Sequence, residues 1–273
     1  MKLKVITLCS GYDSQCMALD MLKKAYGSFD YELVAWSEID KYAIAAHNAV
    51  YPQWSERNLG DMTKIDWAKV KGCDLLTYST PCTDISNAGL QKGLEKGSGT
   101  RSSILWYTEE AIRILRPKYL LMENVKALAS KKFLPYLKEW QNIVTTYGYS
   151  NYTAILNAKD YGVPQNRERV FMLSIRGDET YNFPKPFKLE RRLKDVLEPN
   201  VDEKYYLSDK IIIGFENSTQ IAREKGNGYR FNPTEGDGYA KTILTAPGSR
   251  ADDNFIIDEQ AFANDDRQRP NPK

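Results

Sequence analysis

The sequence has one histidine, four scattered cysteines, no long apolar run and almost no excess charge, and each shortage removes a class of protein. Cys9, Cys16, Cys73 and Cys82 form no C-x-x-C pair, so neither they nor the lone His47 offer the spacing of a zinc site. A Cys–His hydrolase would need His47 as its base. His47 instead closes an Ala-rich helical run at 42–46, the place of a partly packed helix residue. The first eight residues hold two lysines but no apolar core of a secretory signal, and they read as a strand. No stretch approaches the ~18 apolar residues that mark a membrane span. The expected location is the cytosol, where disulfide frameworks are rare. A net charge of +2 leaves any affinity for nucleic acid to a local patch.

What the sequence does contain is an alternation of short β-like and helical runs. Strands are expected at 2–8, 32–36, 74–79, 119–122, 151–156 and 170–174, and helices at 14–26, 40–50, 103–115 and 135–146. Strands interleaved with helices of this length imply an α/β fold, a doubly wound, mostly parallel sheet covered on both faces. The last two strands follow the final helix and are expected to finish one edge as a hairpin. Past residue 176 the composition turns to glycine, asparagine, aspartate and proline, notably at 182–186, 198–202 and 226–238, which reads as a small loop-rich region. The polar, aperiodic 263–273 is expected to be disordered without a partner. The expected division is therefore 1–176, 177–262 and a tail.

Chemistry gathers where strands are expected to end. The turn Ser10-Gly11-Tyr12-Asp13 joins the first strand to the first helix, the place where doubly wound sheets approach a nucleotide-like ligand. Glu38 ends the second strand, well placed for ribose hydroxyls. A helix N-terminal carboxylate is the alternative, and it suits Asp40 better. Gly60-Asp61-Met62-Thr63 is either a third polar contact or an ordinary turn. Pro81-Cys82 follows the apolar run 74–79, so a rigid proline presents a thiol at the sheet's carboxyl edge, and the glycine-rich 89–99 beyond it suits a lid. Cys9, Cys16 and Cys73 read as buried packing residues, whereas Cys82 has polar, glycine-rich neighbours. Glu123 emerges from Tyr119-Leu120-Leu121-Met122, where burial is expected to keep its carboxyl protonated; a helix cap, with Asn124 competing, is the plainer role. Arg167 and Arg169 alternate ahead of Val170-Phe171-Met172, so both are expected on one face.

In order and spacing these residues resemble the cytosine-C5 DNA methyltransferases of the bacterial and phage modification type. The likeness rests on the S-G turn, Glu38, Asp61, P-C-x-x-x-S at 81–86, E-N-V at 123–125 and Q-N-R-E-R at 165–169. The resemblance implies S-adenosylmethionine as methyl donor, S-adenosylhomocysteine as product and double-stranded DNA as partner, with neither metal nor membrane. It implies that Cys82 adds to C6 of a flipped-out cytosine, that Glu123 is the acid facing N3 and the exocyclic amine, and that Arg169, with Arg167 beside it, holds the ring oxygen. Ser10, Gly11, Glu38, Ile39, Asp61, Met62, Pro81 and Ser103 match the family's cofactor positions, with Ile39 packed on the adenine. Ser86, Gln165, Arg191 and Arg192 match its DNA side, in and around a partial target-recognition region at 177–262. Phosphate contacts and a solvated helix face compete as readings of the 188–194 basic residues.

The sequence departs from the family in two places. Cys9, Asp13 and Ser14 stand where the first turn normally has an aromatic residue and more glycine, from which weaker cofactor binding is expected. Residues 242–248 resemble the approach to the family's L-T-P-x-E segment, yet that segment and the closing Q-x-G-N-S motif are absent. A second polypeptide supplying them, a truncated fragment with low activity, and a competent short form are the three expectations. A tRNA-cytosine methyltransferase and a non-catalytic DNA-binding relative are the alternatives in function.

Overall fold

The computed structural model describes residues 2–82, 95, 97, 99, 101–199, 201–226, 231–243 and 253–257. Ser86, most of the expected 89–99 lid, most of the 242–248 segment and the 263–273 tail lie outside the described residues. The chain divides into two compact units. One is Met1–Leu156 with Glu168–Pro184, and the other is Asn157–Arg167 with Lys185–Lys273.

The first unit is built on a six-stranded sheet: β1 (Leu3–Leu8), β2 (Tyr31–Ser37), β3 (Leu75–Tyr78), β4 (Tyr119–Val125), β5 (Tyr149–Asn157) and β6 (Glu168–Arg176), in the order β2-β1-β3-β4-β6-β5. The pairs β1·β2, β1·β3 and β3·β4 are parallel, and β6 is antiparallel to β4. In β1 four successive residues, Val5, Ile6, Thr7 and Leu8, are fully buried, the pattern of a parallel strand covered on both sides. Neighbouring residues of a strand point to opposite faces, and Val5 and Ile6 enter different hydrophobic clusters. Val5 packs with Leu33, Trp36 and the α1 residues Cys16 and Leu19, where α1 is Ser14–Ala25. Ile6 packs with Leu76, Leu120 and Met122, and with Ile112 of α3 (Thr108–Leu115) and Trp140 of α4 (Leu134–Thr146). The mostly parallel, doubly wound α/β sheet expected from the sequence is thus the fold.

Two elements differ from the sequence reading. The helix expected over 103–115 begins as a 3-10 helix, Arg101–Tyr107, before α3. Its burial explains the tighter winding: Ser102, Leu105 and Thr108 are buried, as are Ser103 and Trp106, while Tyr107 is exposed. Three residues per turn stacks those positions into two inward ridges, which a 3.6-residue turn would not. The second unit, expected to be loops, contains the 16-residue helix α5 (Asp209–Glu224). Ile212, Phe215, Thr219 and Ala222 share its covered face at helical spacing. Phe215, Phe231 and Phe255 form a triangle with ring centroids 5.3–5.5 Å apart. Thr219 Oγ1 accepts from the Phe231 amide (2.7 Å) and donates to the Phe215 carbonyl (2.8 Å). Among the described residues no helix is long and apolar enough to cross a membrane.

Candidate active site

The parallel register sets the level of everything at the sheet's carboxyl edge. Tyr78 pairs with Met122 across β3 and β4, so Pro81-Cys82 and Glu123 leave the sheet at one edge. The root of the Cys82 segment is held from two sides. Gln15 Nε2, in the first turn of α1, donates to Ser79 Oγ (2.8 Å), and Asn124 Nδ2 donates to the Thr80 carbonyl (3.1 Å). Asn124 Oδ1 also accepts from its neighbour's amide, Val125 N (2.9 Å). The buried Asn124 is therefore a clamp between strands rather than the helix cap that the sequence offered. Removing its side chain leaves the Thr80 carbonyl without that donor. Asn124→Ala is expected to cost about 1–3 kcal/mol, a fall in Tm of roughly 2–10 °C for a chain this size, readable by scanning calorimetry. A Tm equal to wild type would remove the clamp.

Glu123 meets Arg169 directly. In the antiparallel β4·β6 pair Val125 lies opposite Arg169 and Glu123 opposite Phe171, so Glu123 and Arg169 are diagonal neighbours on one face. Arg169 Nε lies 3.0 Å from Glu123 Oε1, with side chains 17% and 26% exposed. The sequence reading placed Glu123 in apolar burial; the structure instead gives it a guanidinium. Arg169 Nη1 also donates to the Glu168 carbonyl (2.8 Å), while the Glu168 carboxylate is taken by Lys126 (2.8 Å) and does not compete. Cys82 and Pro81 are half-buried.

The other expected positions gather at the ends of β1 and β2. Gly11 is left-handed (φ 58°), with nothing within 4 Å of where a Cβ would stand, and its amide donates to Glu38 Oε2 (2.9 Å). Glu38 Oε1 accepts from the Ile39 and Asp40 amides (2.8 and 2.9 Å). Asp40 caps α2 (Lys41–Val50) by accepting from Tyr42 and Ala43, the capping role assigned to it from sequence. Asn58, which the sequence reading missed, locks Glu38 in place: its Oδ1 accepts from the Glu38 and Gly60 amides, and its Nδ2 donates to the Glu38 carbonyl. The strand-like pairing of Asn58 with Trp36 brings Asn58 beside Glu38, and no local sequence pattern announces it. Asp61 caps a short 3-10 helix through Thr63, whose hydrogen bonds lower its carboxyl pKa. Ser10, Met62 and Ser103 are buried, and Ile39 is 69% exposed beyond Glu38. Cys9 packs against the core as expected, though half-buried rather than buried, just past β1 in a left-handed turn (φ 51°) with its thiol on Met62 Sδ (3.5 Å). Burial, then the charges of Glu38 and Asp61, push that thiol up to about 12, so at neutral pH it stays protonated and is no rival nucleophile.

An open glycine turn, the Glu38 carboxylate at the end of β2, the Asp61 carboxylate capping its 3-10 helix and an exposed aliphatic residue form a set that suits a nucleoside carrying ribose hydroxyls and a flat base.

The second unit contains Gln165, Arg167, Arg191 and Arg192. Gln165 bridges to Ala240, and the Asn166 amide donates to the Ala240 carbonyl (2.7 Å). The Arg167 backbone is held by Asn157 Oδ1 and the Ala158 amide (both 3.0 Å). Residues 157–167, grouped with 1–176 on sequence, cluster here through these bonds. Arg192 donates to the Leu189 carbonyl (3.2 Å), while Arg191 is exposed.

The family described as C-5 cytosine-specific DNA methylase matches residues 3–269. The type II methyltransferase M2.ScrFI of Lactococcus lactis subsp. cremoris is 47% identical over 154 residues, 56% of this chain and 43% of that protein. The orphan methyltransferase M.SssI of Spiroplasma monobiae is 40% identical over 199 residues, 71% of this chain and 50% of that protein. The chain spans about half the length of these relatives. Among solved structures, the Entamoeba histolytica methyltransferase EhMeth aligns with a TM-score of 0.71 at 18% identity, over 89% of this chain and 71% of that one, a likeness of fold.

Proposed function

Because the chain belongs to the C-5 cytosine-specific DNA methylase family, we propose that it methylates C5 of cytosine in duplex DNA through a covalent adduct at Cys82. The observation that carries this reading is the Glu123–Arg169 pair, 3.0 Å apart at the same sheet edge from which Pro81-Cys82 emerges. The Cys82 thiolate adds to C6, forming the S–C6 bond and moving the C5=C6 π electrons toward C5. Glu123 shares a proton with N3 and accepts from the exocyclic amine, holding the charge that reaches the ring. Arg169 donates to the ring oxygen and keeps Glu123 in place. Ser10, Gly11, Glu38, Ile39, Asp61, Met62, Pro81 and Ser103 would hold S-adenosylmethionine, whose sulfonium methyl would pass to C5 as its S–methyl bond breaks to leave S-adenosylhomocysteine. Loss of the C5 proton and elimination of the Cys82 thiolate restore the aromatic ring. A base inside a duplex must be flipped out to meet these groups, and Arg191, Arg192, Gln165 and Ser86 belong to the proposed DNA side.

The test is transfer of labelled methyl groups from S-adenosylmethionine to unmethylated duplex DNA and, in parallel, to tRNA. Label in DNA at cytosine C5 is expected. Label in tRNA alone overturns the DNA assignment. Transfer to DNA that appears only on adding a second polypeptide keeps the chemistry and makes this chain one part of a split enzyme.

A further inference from the structure

Beneath the Gly11 turn lies a buried polar group that neither the catalytic scheme nor the cofactor contacts use. Asp13 has φ 66° and ψ 57°, the left-handed region that residues other than glycine rarely occupy. Its side chain reaches three elements. Oδ1 accepts from the Cys16 amide of α1 (3.2 Å), and Oδ2 accepts from Thr7 Oγ1 of β1 (2.8 Å). His47 Nε2 of α2 stands 3.6 Å from Oδ2, and both side chains are 0% exposed. The imidazole is fixed in plane by Trp36, stacked at 3.7 Å and 18°, and by Tyr51 at 5.6 Å. Nδ1 lies 3.3 Å from Asn48 Oδ1, and Nε2 reaches no hydrogen-bond partner among the described residues. His47, expected to be partly packed, is thus fully enclosed and aimed at a carboxylate.

The backbone shows what this arrangement holds. The Asp13 amide donates to the Ser10 carbonyl (2.9 Å), closing a turn with Gly11 at its corner, and the Gly11 amide points at Glu38. A turn that is left-handed at Cys9, Gly11 and Asp13 persists only where its surroundings over-determine it. The carboxylate of Asp13 ties the far end of this turn to β1 and α1 by hydrogen bonds and sets it 3.6 Å from His47 of α2. We propose that Asp13, backed by His47, is a positioning residue that keeps the Gly11 amide on Glu38 and so fixes the Glu38 carboxylate at the cofactor site. The departure from glycine at position 13 is then a substitute anchor rather than a defect. This inference rests on the cofactor reading of the Gly11–Glu38 turn.

Two variants separate the carboxylate from the backbone. Asp13→Gly suits the left-handed conformation and removes every side-chain anchor while the backbone bond to Ser10 remains possible, whereas the near-isosteric Asp13→Asn keeps an acceptor for Cys16 but loses the charge. Calorimetric titration with S-adenosylhomocysteine is expected to show affinity falling roughly 10–100-fold in Asp13→Gly and by less in Asp13→Asn. In turnover the loss is expected in the KM for the cofactor and not in kcat. The chain has one histidine, so imidazole nitrogen-15 signals report His47 alone. They are expected to be shifted from their wild-type positions in both variants, together with the Gly11 amide signal. An unchanged Gly11 amide and unchanged affinity in Asp13→Gly would overturn the proposal. If the wild type binds no S-adenosylhomocysteine, the cofactor reading fails, and the ligand-independent Gly11 and His47 signals still decide whether Asp13 anchors the turn.

Discussion

Cys82→Ser is expected to lower methyl transfer to duplex DNA by at least about a thousandfold while leaving cofactor affinity and fold in place. The argument is one of atoms. Sulfur ionises near neutrality and is nucleophilic enough to attack an electron-poor alkene carbon, whereas a serine hydroxyl is almost wholly protonated and needs a base. The one histidine that might serve as base, His47, is enclosed against Trp36 and Asp13. Serine nearly matches cysteine in size, and the root of the loop is held by Gln15 on Ser79 and Asn124 on Thr80, neither touched by the change. A loss of transfer therefore reports the nucleophile and not a displaced loop. Labelled transfer, with calorimetric cofactor binding beside it, measures both. A Cys82→Ser protein within tenfold of wild type would end the covalent scheme, and Cys9, with its thiol pushed up to about 12, offers no replacement.

The parts of this chain that sequence made legible are those whose meaning is local. Four consecutive buried residues in β1 and the alternating burial of β4 follow from strand periodicity, and so does the shared face of Glu123 and Arg169 once their strands pair. The Asp40 cap needed only its own position ahead of an Ala-rich helix. What stayed hidden depends on partners distant in sequence. Asn58 meets Glu38 across 20 residues, Gln15 meets Ser79 across 64, and Asp13 meets His47 across 34. None of these carries a spacing signal. Helix α5 was missed for a different reason. Ile211, Ile213 and Ile221 are exposed, so its apolar residues ring the helix, while its covered face includes a threonine and an alanine. The 3-10 start before α3 could be found only from burial, because its three-residue period is invisible until Tyr107 is known to face out.

The second large effect is expected at the Glu123–Arg169 pair, and it is a statement about coupling. Glu123→Gln keeps the shape and one acceptor but cannot share a proton with N3; transfer is expected to fall roughly 10²–10⁴-fold. Arg169→Ala removes the proposed donor to the ring oxygen and leaves Glu123 without its 3.0 Å partner, and roughly a hundredfold loss or more is expected. If the two residues act on the ring as one device, the double variant is scarcely worse than Glu123→Gln alone, since groups that work as a unit are non-additive. Independent roles predict the product of the two losses. The pair is only partly covered, at 17% and 26% exposure, so either single change should leave the fold intact and the comparison interpretable. A double variant as slow as the product of the singles would mean that Arg169 binds the base without positioning Glu123. The ion pair across β4 and β6 would then be a feature of the sheet edge and not of the chemistry.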